Sequence, residues 1–343
     1  DTPKPQAARL LPPMPFNNRK PILFESICQA GGNKLMQFAA QQQFLQEDQA
    51  FLLGSRGVIC LQGERAAEAL QPLITSSLNT ITNKPVLAYV LDDHGSLRID
   101  CFVVTYQQDL LVEIDKSLIS ALLELLAPQC RALSVSARDV SADWRVFAEL
   151  PDQTTFDDGS ACIKYVDPRW HMGVRLLRPA NAANSSQWGS EIKWAAHAHK
   201  LGFLPSTAVL QNVAISPLEA GLHAINLLDS KRLPKALQVA ITTPEEHLSR
   251  RLLPMRIEPN SVSFATMVGG LAVLADDIEI GQAVCHHGLF ALALIDLELW
   301  RSALAADTPL HCADQAVLIS WPSWLAQESR GRGGPVAMSH RSQ

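Results

Sequence analysis

The stretch Gly57-Val58-Ile59-Cys60-Leu61-Gln62-Gly63 is a short apolar run bounded by glycines, and it reads as a β-strand. Glu64 to Leu73 follows with Ala66, Ala67, Leu70 and Leu73 on one face, which predicts a short helix. Val86 to Leu91 and Leu97 to Thr105 read as strands paired around the turn Asp92-Asp93-His94-Gly95. Asp109 to Ile114 adds a strand and Leu118 to Leu126 a helix. Leu133 to Val140 and Trp144 to Leu150 are two further strands. The order β-α-β-β-β-α-β predicts an α+β fold and argues against the regular alternation of a doubly wound dinucleotide domain.

On either side of this block the pattern changes. Upstream, Pro3, Pro5, Pro12, Pro13, Pro15 and Pro21 are too dense for a helix or a central strand, so this arm is expected to run extended and to contact another chain. Lys34 to Asp48 has apolar residues at helical spacing. Downstream, a helix is predicted over Glu191 to Leu201, then a Pro-punctuated irregular region from Pro205 to Pro234. Short strands recur at Leu252 to Ile257, Ser261 to Val268, Ala272 to Ala275, Phe290 to Leu294 and Ala316 to Ile319, which suggests a small antiparallel barrel. The tail, with Arg330-Gly331-Arg332-Gly333-Gly334-Pro335, is of low complexity. The predicted organisation is an arm and short helix over 1–50, an α+β body over 51–243, a C-terminal β-barrel over 244–326 and an Arg/Gly tail over 327–343.

Composition bounds the function. Of 343 residues, 47% are hydrophobic and 18% charged, with a net charge of −5. That balance excludes a disordered chain and argues against coating nucleic acid by bulk electrostatics. The apolar run Gly288 to Ile295 is cut by Asp296 long before a bilayer is crossed, so no membrane-spanning helix is expected. A surface poor in Lys, Glu and Asp suits either a large core or a face covered by protein partners. The seven cysteines, at 28, 60, 101, 130, 162, 285 and 312, form no CxxC pair and read as reduced thiols. The first residue is Asp1, for which a removed organellar targeting peptide, a removed signal peptide and a missing start are the open explanations. Together these favour a matrix-type or cytosolic address.

Few residues point to chemistry. Cys285-His286-His287 places three potential ligands side by side, but neighbours on a strand face opposite ways and cannot all reach one ion. His197 and His199 do not face each other on a helix either, so no metal site is expected. There is no phosphate loop, dinucleotide fingerprint, nucleophile elbow or HExxH. The Arg-Gly tail is a weak signal for RNA or an acidic surface. Asp100 differs, because it stands among Leu97, Ile99, Phe102 and Val103, where a carboxylate needs a partner or a polar cavity. Glu219 lies in Ser216-Pro217-Leu218-Glu219-Ala220-Gly221-Leu222. The two acids either line a cavity suited to an amine-bearing heterocycle or are separately capped and salt-bridged.

In their order and spacing, several strings resemble the aminomethyltransferase-like superfamily, and within it the YgfZ-type iron–sulfur cluster assembly factors and their mitochondrial relatives. They are the Gly57 to Gly63 run, Asp167-Pro168-Arg169 with Met172-Gly173-Val174-Arg175-Leu176, Pro217-Leu218-Glu219-Ala220, and Leu253-Pro254-Met255-Arg256-Ile257. The resemblance covers roughly Phe51 to Leu325. It implies a folate-binding-type α+β ring closed by the barrel, with tetrahydrofolate in a central hole and Glu219 and Asp100 as its contacts. The family signature K-G-C-Y-x-G-Q-E, laid without gaps from Glu219, falls on Arg232-Leu233-Pro234-Lys235-Ala236-Leu237-Gln238-Val239. Pro234 takes the cysteine position and offers no thiolate; Leu233 and Leu237 replace the glycines.

The expectation is therefore a non-catalytic homologue without catalytic residues or cofactor, in which Glu219 and Asp100 are vestigial. It would serve as an accessory subunit of a large mitochondrial matrix assembly: a respiratory complex, ATP synthase or the ribosome. Its contacts would be the arm, the tail and the low-charge surface. The alternative is a divergent tetrahydrofolate-dependent iron–sulfur assembly factor.

Overall fold

The computed structural model describes residues 50–79, 81, 84–151, 162–181, 188–210, 213–225, 227–242, 248–258 and 270–325. All belong to one compact unit, Asp48–Gln343. The predicted arm up to residue 49, the helix over Lys34 to Asp48, the strand Ser261 to Val268 and the Arg-Gly tail lie outside the described residues.

After the short β1 (Phe51–Leu52), the quoted strand forms as β2 (Arg56–Gln62). It joins β3 (Val86–Leu91), β4 (Leu97–Tyr106), β5 (Asp109–Asp115) and β6 (Ser136–Asp139) in an antiparallel sheet of order β3-β4-β5-β2-β6. The run reads as continuously apolar because both faces of β2 are buried. Ile59 and Leu61 pack under α1 (Ala66–Leu70) and α2 (Ile119–Leu133), while Val58 and Cys60 enter a second core on the other side. Helix α2 continues past its predicted end at Leu126, since Leu122, Leu126 and Cys130 keep one face buried and Pro128 is exposed. The strand predicted from Leu133 accordingly starts only at Ser136.

A second antiparallel sheet, β1-β7-β9-β8, was not anticipated as such. Its strands β7 (Trp144–Glu149), β8 (Ile163–Val166) and β9 (Val174–Pro179) include two that the sequence reading passed over. In β9 Arg175 and Arg178 lie on opposite faces and both are buried, so the apolar pattern is broken by charge. Gly173 enters β9 at φ +78°, and a Cβ there would stand 1.9 Å from the Glu149 carbonyl oxygen. Only glycine fits. Helix α3 (Glu191–Leu201) forms where predicted, and α4 (Lys235–Thr242) follows the irregular region.

The C-terminal part is a closed barrel. Strands β10 (Arg250–Ile257), β11 (Ala272–Ala275), β12 (Ile278–His287), β13 (Phe290–Asp296), β14 (Leu310–Cys312) and β15 (Gln315–Ile319) close in the order β10-β13-β12-β11-β14-β15. Leu253, Met255, Ile257, Val273, Ile280 and Ile295 fill it, and alternate residues such as Leu252, Val284, Leu292 and Leu294 face the body. Helix α5 (Leu297–Ala305) was not predicted, although Asp296 caps it by accepting from the Glu298 and Leu299 amides. The core shared by both sheets, α3 and the outer barrel wall centres on Phe102, Trp194, Phe203 and Leu252.

Candidate functional site

Where β2, β4, β5 and β9 meet, six charged side chains are buried together. Arg56 donates to Asp100 from Nη1 and to Glu113 from Nε, both at 2.8 Å. Arg175 donates to Glu113 at 2.7 Å and to Asp167 at 3.3 Å, and Arg169 reaches Asp167 at 2.6 Å. The Tyr165 hydroxyl donates to the free oxygen of Glu113. The Arg175 guanidinium lies 4.7 Å from the Phe102 ring centroid and 4.6 Å from that of Trp194, within cation–π range of both. Three arginines balance three carboxylates.

Asp100 is fully committed within this cluster. Besides Arg56 it accepts the Thr207 amide at 2.6 Å, the Thr207 hydroxyl at 2.9 Å and the Ser206 hydroxyl at 3.3 Å. Burial alone would raise its pKa; Arg56 and the Thr207 N–H outweigh burial and hold it down at about 2. Burial likewise raises Asp167, and the adjoining Arg169 and Arg175 bring it below the usual carboxylate range. Burial opposes the charge of Arg56, which Asp100 and Glu113 more than restore.

Glu219 belongs to a different arrangement. Ser216 Oγ accepts the Glu219 amide at 3.2 Å and Glu219 Oε2 accepts the Ser216 amide at 2.8 Å, a reciprocal capping box on Ser-Pro-Leu-Glu. The other oxygen takes two bonds from Arg250, at 3.0 and 2.8 Å. Asp100 and Glu219 thus do not share partners; of the two readings left open above, each acid is separately bonded. Pro234 is exposed at the start of α4, where its carbonyl accepts the Gln238 amide. Leu233 is buried, and Leu237 covers the β3–β4 turn, 3.2 Å from where a Gly95 Cβ would be.

Beside the cluster, Tyr89, Leu97, Arg169, Phe203, Leu222 and Leu252 enclose a cavity of about 10 Å3, room for roughly one water. Sequence reasoning found Asp100 but missed Glu113, which carried the same signal, a lone carboxylate between Val112 and Ile114. Arg56, Tyr165 and Arg175 gave no local signal. Among the described residues all cysteines are free thiols.

The glycine cleavage system aminomethyltransferase T from Bartonella henselae superposes at a TM-score of 0.57 with 11% identity, covering 84% of this chain and 89% of that one. The fold is aminomethyltransferase-like. Residues 250–327 match the family model of the CAF17 C-terminal beta-barrel domain, and the string Leu253-Pro254-Met255-Arg256-Ile257 lies within them. The heterotetrameric sarcosine oxidase from Corynebacterium sp. U-96 aligns over 41% of this chain and 83% of that one, at 13% identity and a TM-score of 0.26. No curated protein matches the sequence.

Proposed function

We propose that this aminomethyltransferase-like chain is a non-catalytic, folate-free relative of the CAF17 and YgfZ type, acting as an accessory subunit of a large mitochondrial assembly. The observation that carries the reading is the cavity of about 10 Å3 beside Arg169 and Tyr89. Ligand pockets run to about 300–1,000 Å3, and this small cavity supports the folate-free reading. The commitments of the two acids agree with this. Asp100 has four partners inside the ion cluster, and Glu219 closes a capping box and pairs with Arg250. Pro234 supplies no thiol at the family's cysteine position.

The test is calorimetric titration of the purified chain with reduced folate. No heat, and an unchanged melting temperature at millimolar folate, is the expected result. A low-micromolar dissociation constant lost in Glu219→Ala would overturn it and favour the second reading, a divergent tetrahydrofolate-dependent iron–sulfur assembly factor. The CAF17-type barrel speaks for that alternative. Elution of the native protein from an organelle extract far above its 37.5 kDa mass tests the accessory role separately.

A further inference from the structure

At the joint between α3 and the barrel, the buried His199 packs against Cys285 and His287 of β12, with its Nε2 3.3 Å from Cys285 Sγ. Just beyond, α3 ends at Leu201 and Gly202 turns the chain at φ +87°. A Cβ at Gly202 would stand 3.0 Å from Pro322 and 3.3 Å from Pro254, so this turn is pressed onto the barrel. Phe203 follows it and forms one wall of the small cavity beside the ion cluster. Leu252, on the outer barrel wall, forms another, and Leu97 and Leu222 complete the apolar lining.

Two polar side chains line the same space. Tyr89 stands directly across from Asp100 in the β3–β4 pairing, so its ring points to the side of the sheet that holds the ion cluster. It is 4% exposed, and among the described residues nothing bonds its hydroxyl. Arg169, equally buried, uses three of a guanidinium's five N–H groups. Nε donates to Asp167 at 2.9 Å, Nη2 to the other Asp167 oxygen at 2.6 Å and Nη1 to the Leu204 carbonyl at 2.8 Å. One hydrogen on each Nη is left over.

We propose that the cavity is the binding site of one ordered water, held between the Tyr89 hydroxyl and the remaining Nη hydrogens of Arg169. Space, hydrogen bonding and charge all select water. The volume of about 10 Å3 matches a single molecule. A hydroxyl both donates and accepts while a guanidinium only donates, so a water takes a bond from Arg169 and exchanges one with Tyr89. Those are the two polar partners that a buried water needs as a minimum. An apolar occupant would leave the buried hydroxyl unpaired. A small anion would suit the same donors, but Arg56, Arg169 and Arg175 are already balanced by Asp100, Glu113 and Asp167, so nothing offsets the cost of desolvating it. The water ties β3 of the first sheet to the turn of the second sheet that carries Arg169. The inference concerns what fills the cavity when no folate is present, and so does not rest on the folate-free reading.

The experiment combines a high-resolution crystal structure of the full chain grown without folate, a second data set from crystals soaked in bromide, and deuteron relaxation dispersion in solution, which counts long-lived internal waters. The expected result is one water-sized density peak within hydrogen-bond distance of both Tyr89 Oη and Arg169, with no anomalous bromide signal there. Tyr89→Phe is expected to hold one long-lived water fewer than the parent chain. An empty cavity, bromide inside it, or an equal count in Tyr89→Phe overturns the proposal. The two crystallographic readings need no variant, so they decide the matter even if Tyr89→Phe fails to fold. Density for a bound pterin overturns this inference and the folate-free reading together. Heat on folate titration of a chain whose cavity holds the water overturns that reading alone.

Discussion

The two β-structures of this chain bury opposite kinds of residue. Between the two sheets of the body, Arg56, Asp100, Glu113, Asp167, Arg169 and Arg175 are each at most 5% exposed and bond to one another. Inside the barrel, Leu253, Met255, Val273, Ile280, Ile295 and Trp300 pack without ion pairs among them, and Arg251 lies over the Trp321 ring. Desolvating charge is expensive, and a buried ion cluster often does no better than an apolar core of the same volume. Once built, however, it tolerates the loss of no member. An apolar core loses stability in proportion to the cavity left, while an ion cluster loses the pairing of every charge that remains. The body is thus the less forgiving half. The barrel is also the half whose sequence still matches a family model.

The largest effect is expected in the body. Glu113→Ala leaves Arg56, Arg175 and Tyr165 without their shared acceptor and lowers unfolding free energy by about 3–5 kcal/mol, read by urea denaturation of the full chain. Ile295→Ala in the barrel interior, measured in the same way, loses about 3 kcal/mol. A barrel loss clearly exceeding the body loss would break the comparison.

Acid separates the joint from the ion cluster. His199 is held near 3 in the folded chain by burial, against about 6.5 unfolded, so the unfolded state binds the proton first. Its contribution is complete above about pH 6.5 and is lost as pH falls toward 3. Between pH 7 and pH 5 the loss is about 2 kcal/mol, and His199→Gln flattens the stability profile by that amount. Asp100, at about 2 folded against about 3.9 unfolded, contributes fully above pH 4 and loses its share only as pH falls to 2. An acid limb near pH 6 that is unchanged in His199→Gln would contradict this division.

The smallest effect belongs to the rim. Glu219→Ala removes a capping box and a half-exposed ion pair, for about 1 kcal/mol. A loss as large as that of Glu113→Ala would move Glu219 into the same class as the buried cluster.

Much of the fold was legible because burial writes itself locally. Strand β2 was readable from the four consecutive apolar residues Val58 to Leu61, and α3 from its spacing, because each signal lies in neighbouring residues. β9 was missed because buried Arg175 and Arg178 break its apolar run, and an arginine reads as a surface residue unless its partner is known. β12 was missed because Gln282, His286 and His287 interrupt its alternation. The capping box on Ser216 and Glu219 was legible in principle as S-x-x-E with proline at the second position, and a separately capped Glu219 was one of the two readings the sequence left open.

The sequence by itself determined the α+β class, the strands around Gly57 and the C-terminal barrel, since each depends on neighbours along the chain. Tertiary structure alone decided what the charges do. Arg56 meets Glu113 across 57 residues and Arg175 meets it across 62. His199 meets Cys285 across 86. No local pattern encodes pairings at that separation: an isolated arginine, histidine or carboxylate has the same propensity whether it will face water or a partner. The choice is made only when the sheets, α3 and the barrel close around it and remove the water.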